Sequence, residues 1–347
     1  MEPIGVGILG VAHGHVNSYC TKWLEQAELG IKVITAWDHD ATRAQGFCNN
    51  HSLEQAVSVQ AVLARADVAA VVIASETSLH CELVEQAAAA GKAIIVQKPI
   101  ALELAQADRV VAAVKKANVP FTMAWQMRVD PHNLELKSLL DSGKFGRQFM
   151  VRRRHGLSTQ KMKDFVKTWH VDAKYNRDIF ADDAAHAIDF IYWLKGMPVS
   201  VVAELGTLLN PAIPNDNGIA LFRYADGSFA EVSCSFVTVA AENVTEVLCE
   251  KGTIVQNYGD NPSCVTPWPV GAAQLKWTFD GSGQWTVSTL PDIKAHGERI
   301  QGLAKPLSEF LRGKRPPIAT AEEGRAVLRL VLACYESSAS GRRISFK

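Results

Sequence analysis

The sequence carries no excess of either charge: Lys and Arg together number 36, as do Asp and Glu, in 347 residues. Such a chain sets up no whole-protein field to gather nucleic acid or an acidic membrane surface, so neither is an expected partner. Cysteine is sparse and shows no pairing. The seven (Cys20, Cys48, Cys81, Cys234, Cys249, Cys264, Cys334) are odd in number, and no CxxC offers a zinc site or a redox disulfide, which points to reduced thiols in a cytoplasmic protein. No apolar run approaches the ~20 residues that cross a bilayer. The opening "MEPIGVGILG" enters a strand-like run without a basic region or cleavage site, so the chain is expected to be neither secreted nor membrane-inserted. No HExxH or similar spacing is present to build a catalytic zinc site, and no metal is expected. Internal repeats and low-complexity tracts are absent as well.

What is present is apolar and patterned. Hydrophobic residues make up 48% of the chain, enough for a sizeable core divided over two domains. Up to about Thr122, short apolar runs ("IGVGIL", "IKVITAW", "VAAVVIA", "KAIIVQ", "VPFTMA") alternate with amphipathic stretches such as 78–90. Runs of that length between helices predict parallel strands buried on both faces, hence a doubly wound α/β sheet over residues 1–122. From about Trp125 the strands alternate more clearly, and Asp226-Gly227 and Lys251-Gly252 are turn signals between them. Residues 123–347 therefore predict an α+β domain with a mainly antiparallel sheet. One helix over 184–195 is expected between its first two strands and another over 321–338, with loops around 211–218 and 259–283.

Between the first strand and the first helix lies Gly10-Val11-Ala12-His13-Gly14-His15, the context in which a glycine loop cradles a dinucleotide. The first glycine permits the tight turn. Ala12 adds one methyl where the second glycine usually stands, and His15 falls in the first helical turn, where amides and the helix dipole still face an anion. His13 and His15 also read as residues that cap or pack this helix. Asp38 follows the second strand, 23 residues after His15. That spacing suits a carboxylate on the ribose hydroxyls of NAD, which would repel the extra phosphate of NADP; Asp38 equally suits a cap on a helix starting near Asp40.

Lys98, next to Pro99, ends the fourth apolar run, at the edge where a nicotinamide would lie; a solvated lysine is the plain alternative. In "FADDAAHAIDFIYWLKG", Asp182 and His186 are four apart, so a helix beginning near Asp182 would carry both on one face. A carboxylate one turn before an imidazole orients it and raises its basicity, although His186 also fits as a core histidine.

Together, "GILG", Asp38, His80 after "ASETSL", "AGKAIIVQKPIA", "MAWQMRVDPHN", "SGKFGR", "DDAAHAIDFIYWLKG" and "YESSASGRRI" resemble the family of glucose–fructose oxidoreductase, inositol dehydrogenase and rhizopine-catabolism proteins. The family's Glu-Lys-Pro is here Gln97-Lys98-Pro99, and its Asp-x-Gly-x-His is here Asp182-Asp183-Ala184-Ala185-His186. The resemblance implies a Rossmann domain binding NAD(P), and the position of Asp38 favours NAD over NADP. It also implies a second domain whose open sheet forms a homodimer or homotetramer, and hydride transfer at a secondary alcohol or ketone of a sugar, cyclitol or related polyol. Lys98 is then the active-site lysine, Asp182 its carboxylate and His186 the acid/base. Gly10, Ala12, His13, Gly14, His15, Asp38, Ser75, His80, Gln97 and Lys98 are expected on the cofactor.

Hydride leaves a carbinol only if the hydroxyl proton leaves too, so His186 is expected as base, Lys98 as support for the alkoxide, and Asp182 as orienter. Trp125, Gln126, Arg128, His155, Trp169 and His170 are expected toward substrate, with core packing for Trp125 and an ion pair for Arg128 as alternatives. "RRRH" at 152–155 should split its charges between two sheet faces. Rival functions on the same fold are a non-catalytic NAD(P)-binding regulator and a redox-assisted glycosidase.

Overall fold

The computed structural model describes residues 2–240, 243–257 and 271–346. Cys264 and the first part of the loop expected at 259–283 lie outside them. The chain forms two compact units. The first runs to Val129 and adds Ala173–Asn176 and Arg299–Leu328; the second takes Asp130–Asp172, Arg177–Glu298 and the chain from Arg329 onward. The division is thus not a single cut at residue 122, which falls inside a strand. That strand is tied to the returning segment: the Met123 N–H donates to the Ala319 carbonyl (2.9 Å) and the Ile318 N–H to the Thr122 hydroxyl (2.8 Å). The buried Trp23 indole likewise donates to the Ala304 carbonyl (2.8 Å).

In the first unit, β1 (Ile4–Leu9), β2 (Ile31–Trp37), β3 (Glu54–Gln55), β4 (Ala70–Ile73), β5 (Ala93–Val96) and β6 (Phe121–Met123) form an all-parallel sheet in the order β3-β2-β1-β4-β5-β6. Five match apolar runs in the sequence. β3, two polar residues long, has no such signal. Every residue of β4 is buried, as is β1 from Gly5 onward, so side chains on both faces lie out of water, as a parallel sheet flanked by helices requires. The helices are α1 (His15–Glu25), α2 (Ala41–His51), α3 (Val59–Leu63), α4 (His80–Ala89) and α5 (Leu104–Ala117). Strand order reverses between β1 and β4, which fixes the ligand crevice at their carboxyl ends.

The second unit opens with α6 (Pro131–Asp141), capped by the Asp130 carboxylate. Its nine strands are β7 (Gln148–Gly156), β8 (Ser200–Gly206), β9 (Asn217–Arg223), β10 (Phe229–Ser235), β11 (Val244–Cys249), β12 (Gly252–Asn257), β13 (Leu275–Phe279), β14 (Thr286–Val287) and β15 (Ile344–Ser345), in the order β14-β13-β12-β11-β7-β10-β9-β8-β15. Among the described residues only β7 with β10 is a parallel pair in this sheet; the rest are antiparallel. Both turn signals join neighbours, β9 to β10 and β11 to β12.

Burial alternates strictly along β9, β10 and β11, so one face is core and the other open. The arginines of β7 split as expected. Arg153 is buried, its guanidinium 5.3 Å from the Phe190 ring, whereas Arg152 on the open face lies 3.2 Å from Glu246 and 3.9 Å from Glu231. Phe190 belongs to α7 (Ala185–Lys195), whose residues from Ala185 to Ile191 are all buried. Among the described residues no helix is long and apolar enough to cross a membrane.

Candidate active site

The loop after β1 is stitched between the strands on either side. The Gly10 N–H donates to the Trp37 carbonyl (2.7 Å) and the His13 N–H to the Ala74 carbonyl (2.9 Å), so the loop spans the ends of β2 and β4. Gly10 has φ +83°, and a Cβ there would sit 2.4 Å from the Ser75 Cα, so both backbone conformation and space demand glycine. At Gly14, the N-cap of α1, a Cβ would meet nothing within 4 Å, and no side chain caps the helix. The start of α1 therefore faces open space beside a half-exposed Ala12, which is what a pyrophosphate needs. The His13 and His15 rings stand edge to face, 4.4 Å apart, in the turn before and at the first residue of α1.

Asp38 is not the cap of α2. Asp40 is, accepting from the Thr42 and Arg43 N–H groups. Asp38, buried just past the end of β2, instead accepts from the Val11 N–H of the glycine loop (2.7 Å), from the Asp40 N–H (2.8 Å) and from the Nε and Nη2 of Arg43 (3.0 and 2.6 Å). Arg43 reaches on to the buried Glu76 past β4 (2.7 Å), and the His39 Nε2 lies 3.0 Å from the same carboxylate. Burial pulls the Arg43 pKa down, but its two carboxylates outweigh this and hold it above the ordinary value.

Beyond β5, the buried Gln97 amide donates to the Tyr19 hydroxyl of α1 (3.0 Å), while its Oε1 is buried without a partner. Burial drives the Tyr19 hydroxyl well above its usual pKa, so it stays protonated. Lys98 follows, buried. The chain is held there by His80, whose Nδ1 lies 2.8 Å from the Pro99 carbonyl and whose Nε2 lies 3.2 Å from the Ser75 carbonyl. His80 is thus a brace between the β4 and β5 loops. The buried Thr77 hydroxyl, one turn before α4, also lacks a partner.

In the second unit the helix begins later than the sequence spacing implies. Phe180–Ala184 is a π-turn, and α7 starts at Ala185, so Asp182 and Asp183 precede the α-helix. A π-turn closes on five residues and rotates side chains away from the α-helical register. The Asp183 carboxylate comes near His186, with Oδ1 3.9 Å from the His186 Nε2. Its other oxygen lies 3.0 Å from the Nε2 of His155, and the two imidazoles are 6.2 Å apart. Asp182, also buried, lies 3.9 Å from the His170 Nε2; His170 stacks on Trp169 at 4.0 Å. The turn is anchored by Asp178, which accepts from the Ala181 N–H (3.0 Å), the Asn215 amide (2.7 Å) and the Tyr335 hydroxyl. Burial lifts the Asp178 carboxyl above its usual range despite these donors.

Four of the substrate-side residues, Trp125, Gln126, Arg128 and His155, are buried. Arg128 forms the structural ion pair, bonding Glu323 (2.8 Å) and the Ile318 carbonyl (3.3 Å). Sequence reasoning missed Arg43, Glu76, Tyr19, Asp178 and Asp183. Only Asp183 had a signal, the doubled acid before "AAH". Among the described residues no group of three or more His, Cys, Asp or Glu side chains is placed to hold a metal ion.

The first unit fits a dinucleotide on its own evidence: open space before α1, a buried carboxylate at the end of β2, and unpartnered buried oxygens on Gln97 and Thr77. With that strand order and glycine turn, and with a mixed sheet carrying imidazole–carboxylate clusters in the same chain, the protein is an NAD(P)-dependent oxidoreductase of the Rossmann type. Residues 4–125 match the family model described as an oxidoreductase family with an NAD-binding Rossmann fold, and residues 133–255 match the GFO/IDH/MocA C-terminal domain. The chain belongs to the GFO/IDH/MocA oxidoreductase family.

It is 30% identical over 257 residues to an inositol 2-dehydrogenase of Rhizobium meliloti, covering 72% of this chain and 73% of that one. To a D-apiose dehydrogenase of Paraburkholderia graminis it is 26% identical, covering 92% and 84%. The solved structure of a levoglucosan dehydrogenase with NADH and levoglucosan has the same fold, with TM-score 0.85 at 19% identity over 99% of both chains.

Proposed function

We propose that this protein is an NAD-dependent dehydrogenase that oxidises a secondary alcohol of a sugar, cyclitol or related polyol, or reduces the matching ketone. The observation that carries this is the buried His186 imidazole with the Asp183 carboxylate beside it, in a chain whose other unit binds NAD. Relatives named for inositol and apiose oxidation support the substrate class.

Gly10, Ala12, Gly14 and the start of α1 would hold the pyrophosphate, Asp38 the ribose hydroxyls, and Ser75, Gln97 and Lys98 the nicotinamide end. NAD when bound supplies the hydride acceptor or donor. His186 takes the hydroxyl proton of the substrate, and a carboxylate next to its ring stabilises the imidazolium that results. Lys98, an ammonium held in a buried loop, stabilises the alkoxide as the proton leaves and polarises the carbonyl in reverse. Asp182, with His170 and Trp169, orients further substrate hydroxyls. The protein works in the cytoplasm as a homodimer or homotetramer through its open sheet face, which presents Ile219 and Leu221. Screening sugars and cyclitols for NADH formation, with Lys98→Ala in parallel, tests the assignment. Turnover should appear in the wild type and be lost in the variant; a variant working at the wild-type rate would remove Lys98 from the mechanism.

A further inference from the structure

Asp38 has no acceptor capacity left for a ribose. Its Oδ1 takes the Asp40 N–H and an Arg43 Nη2 proton, and its Oδ2 takes the Val11 N–H and the Arg43 Nε proton. A carboxylate offers about four such sites. The two backbone donors are fixed by the glycine loop and by the turn into α2, so Arg43 is the partner that can leave. Its side chain is also the accessible one, 29% exposed against 0% for Asp38 and 2% for Glu76. Glu76 already accepts from the Nη2 of the same guanidinium at 2.7 Å. Alongside runs a cavity of about 310 Å³ lined by Trp37, His39, Leu79 and Tyr175, with room for a nucleoside.

Resting on the reading of Asp38 as the ribose carboxylate, we propose that Arg43 and Glu76 form the pair that selects NAD over NADP. A free 2′-hydroxyl takes the place of Arg43 on Asp38, and the guanidinium stays on Glu76. A 2′-phosphate meets a different environment: two buried carboxylates repel it, and the Arg43 guanidinium, which would otherwise bind it, is already bidentate on one carboxylate and bonded to the other. Glu76 thus does more than add negative charge. It keeps an arginine, the usual phosphate ligand, from serving a phosphate.

Fluorescence titration of the purified protein and of Glu76→Gln and Arg43→Ala with NADH and NADPH tests this without any substrate. In the wild type NADH should bind more tightly. Glu76→Gln should lower the ratio of NADPH to NADH dissociation constants about tenfold, because the freed guanidinium can turn to the phosphate. Arg43→Ala should move the ratio the other way, with NADH binding kept or tightened as Asp38 is released. If Glu76→Gln does not fold, the Arg43→Ala ratio decides alone. Ratios within about twofold of wild type in every folded variant, with NADH still bound, would overturn the proposal. Wild-type protein that binds NADPH as tightly as NADH would instead overturn the assignment of Asp38 to the ribose.

Discussion

At the strand ends of the first unit, Asp38 and Glu76 face Arg43; on the π-turn of the second, Asp183 faces His155 and His186. The first sets two buried carboxylates against a guanidinium, the second a partly exposed carboxylate against two imidazoles. The guanidinium keeps its charge at any physiological pH, whereas imidazoles change theirs near neutrality. A permanent charge pattern can recognise a ligand and exclude another, but it has no proton to exchange. A titrating pattern can move a proton but would make poor use of the selectivity. The backbone follows the same division. Asp38 is fixed by two N–H groups next to a regular strand, while Asp183 sits on a turn type that is rare and often found at functional sites.

The contrast yields graded expectations. Lys98→Ala should lower turnover about a hundredfold or more with NADH still bound, since an ammonium at a developing alkoxide supports the chemical step. If the loss appears only as weakened NADH binding, Lys98 belongs with the recognition cluster. Asp183→Asn should lower turnover about tenfold and move the acid limb of the pH–rate profile downward, because a carboxylate beside an imidazole raises its pKa. An unmoved limb would make Asp183 merely structural. Asp38→Ala should relax the NAD preference about tenfold with no change in the pH profile. Last, Cys20 and Cys249 belong to neither cluster: burial pushes Cys20 up to about 12 and Cys249 up to about 11. Native protein alkylated at pH 8 should show both unmodified by peptide mass mapping without loss of activity, and rapid labelling of either would show that its site opens.

Much of the first cluster was legible. Alternating apolar runs give a parallel sheet, and a glycine at the first strand end and an acid past the second give the nucleotide crevice. Arg43 and Glu76 were not, because 33 residues separate them and only the order of β2, β1 and β4 brings their strand ends together. In the second cluster His186 and Asp182 stood out in the sequence, but the approach of Asp183 did not. Helical counting at 100° per residue points to Asp182 rather than Asp183 as the neighbour of His186, and the π-turn departs from that count. The return of 299–328 to the first unit likewise had no sequence signal, since its ties to Trp23, Thr122 and Met123 are single hydrogen bonds over a long separation.

The most direct test of the acid/base assignment is the rate of NADH formation by wild type and His186→Ala, measured from pH 5 to 10 with a sugar or cyclitol found by screening, alongside NADH binding. Expected are a wild-type profile that falls below the pKa of a histidine and a variant slowed about a hundredfold or more at its optimum, with NADH affinity unchanged. A variant that retains both the rate and the acid limb would contradict it.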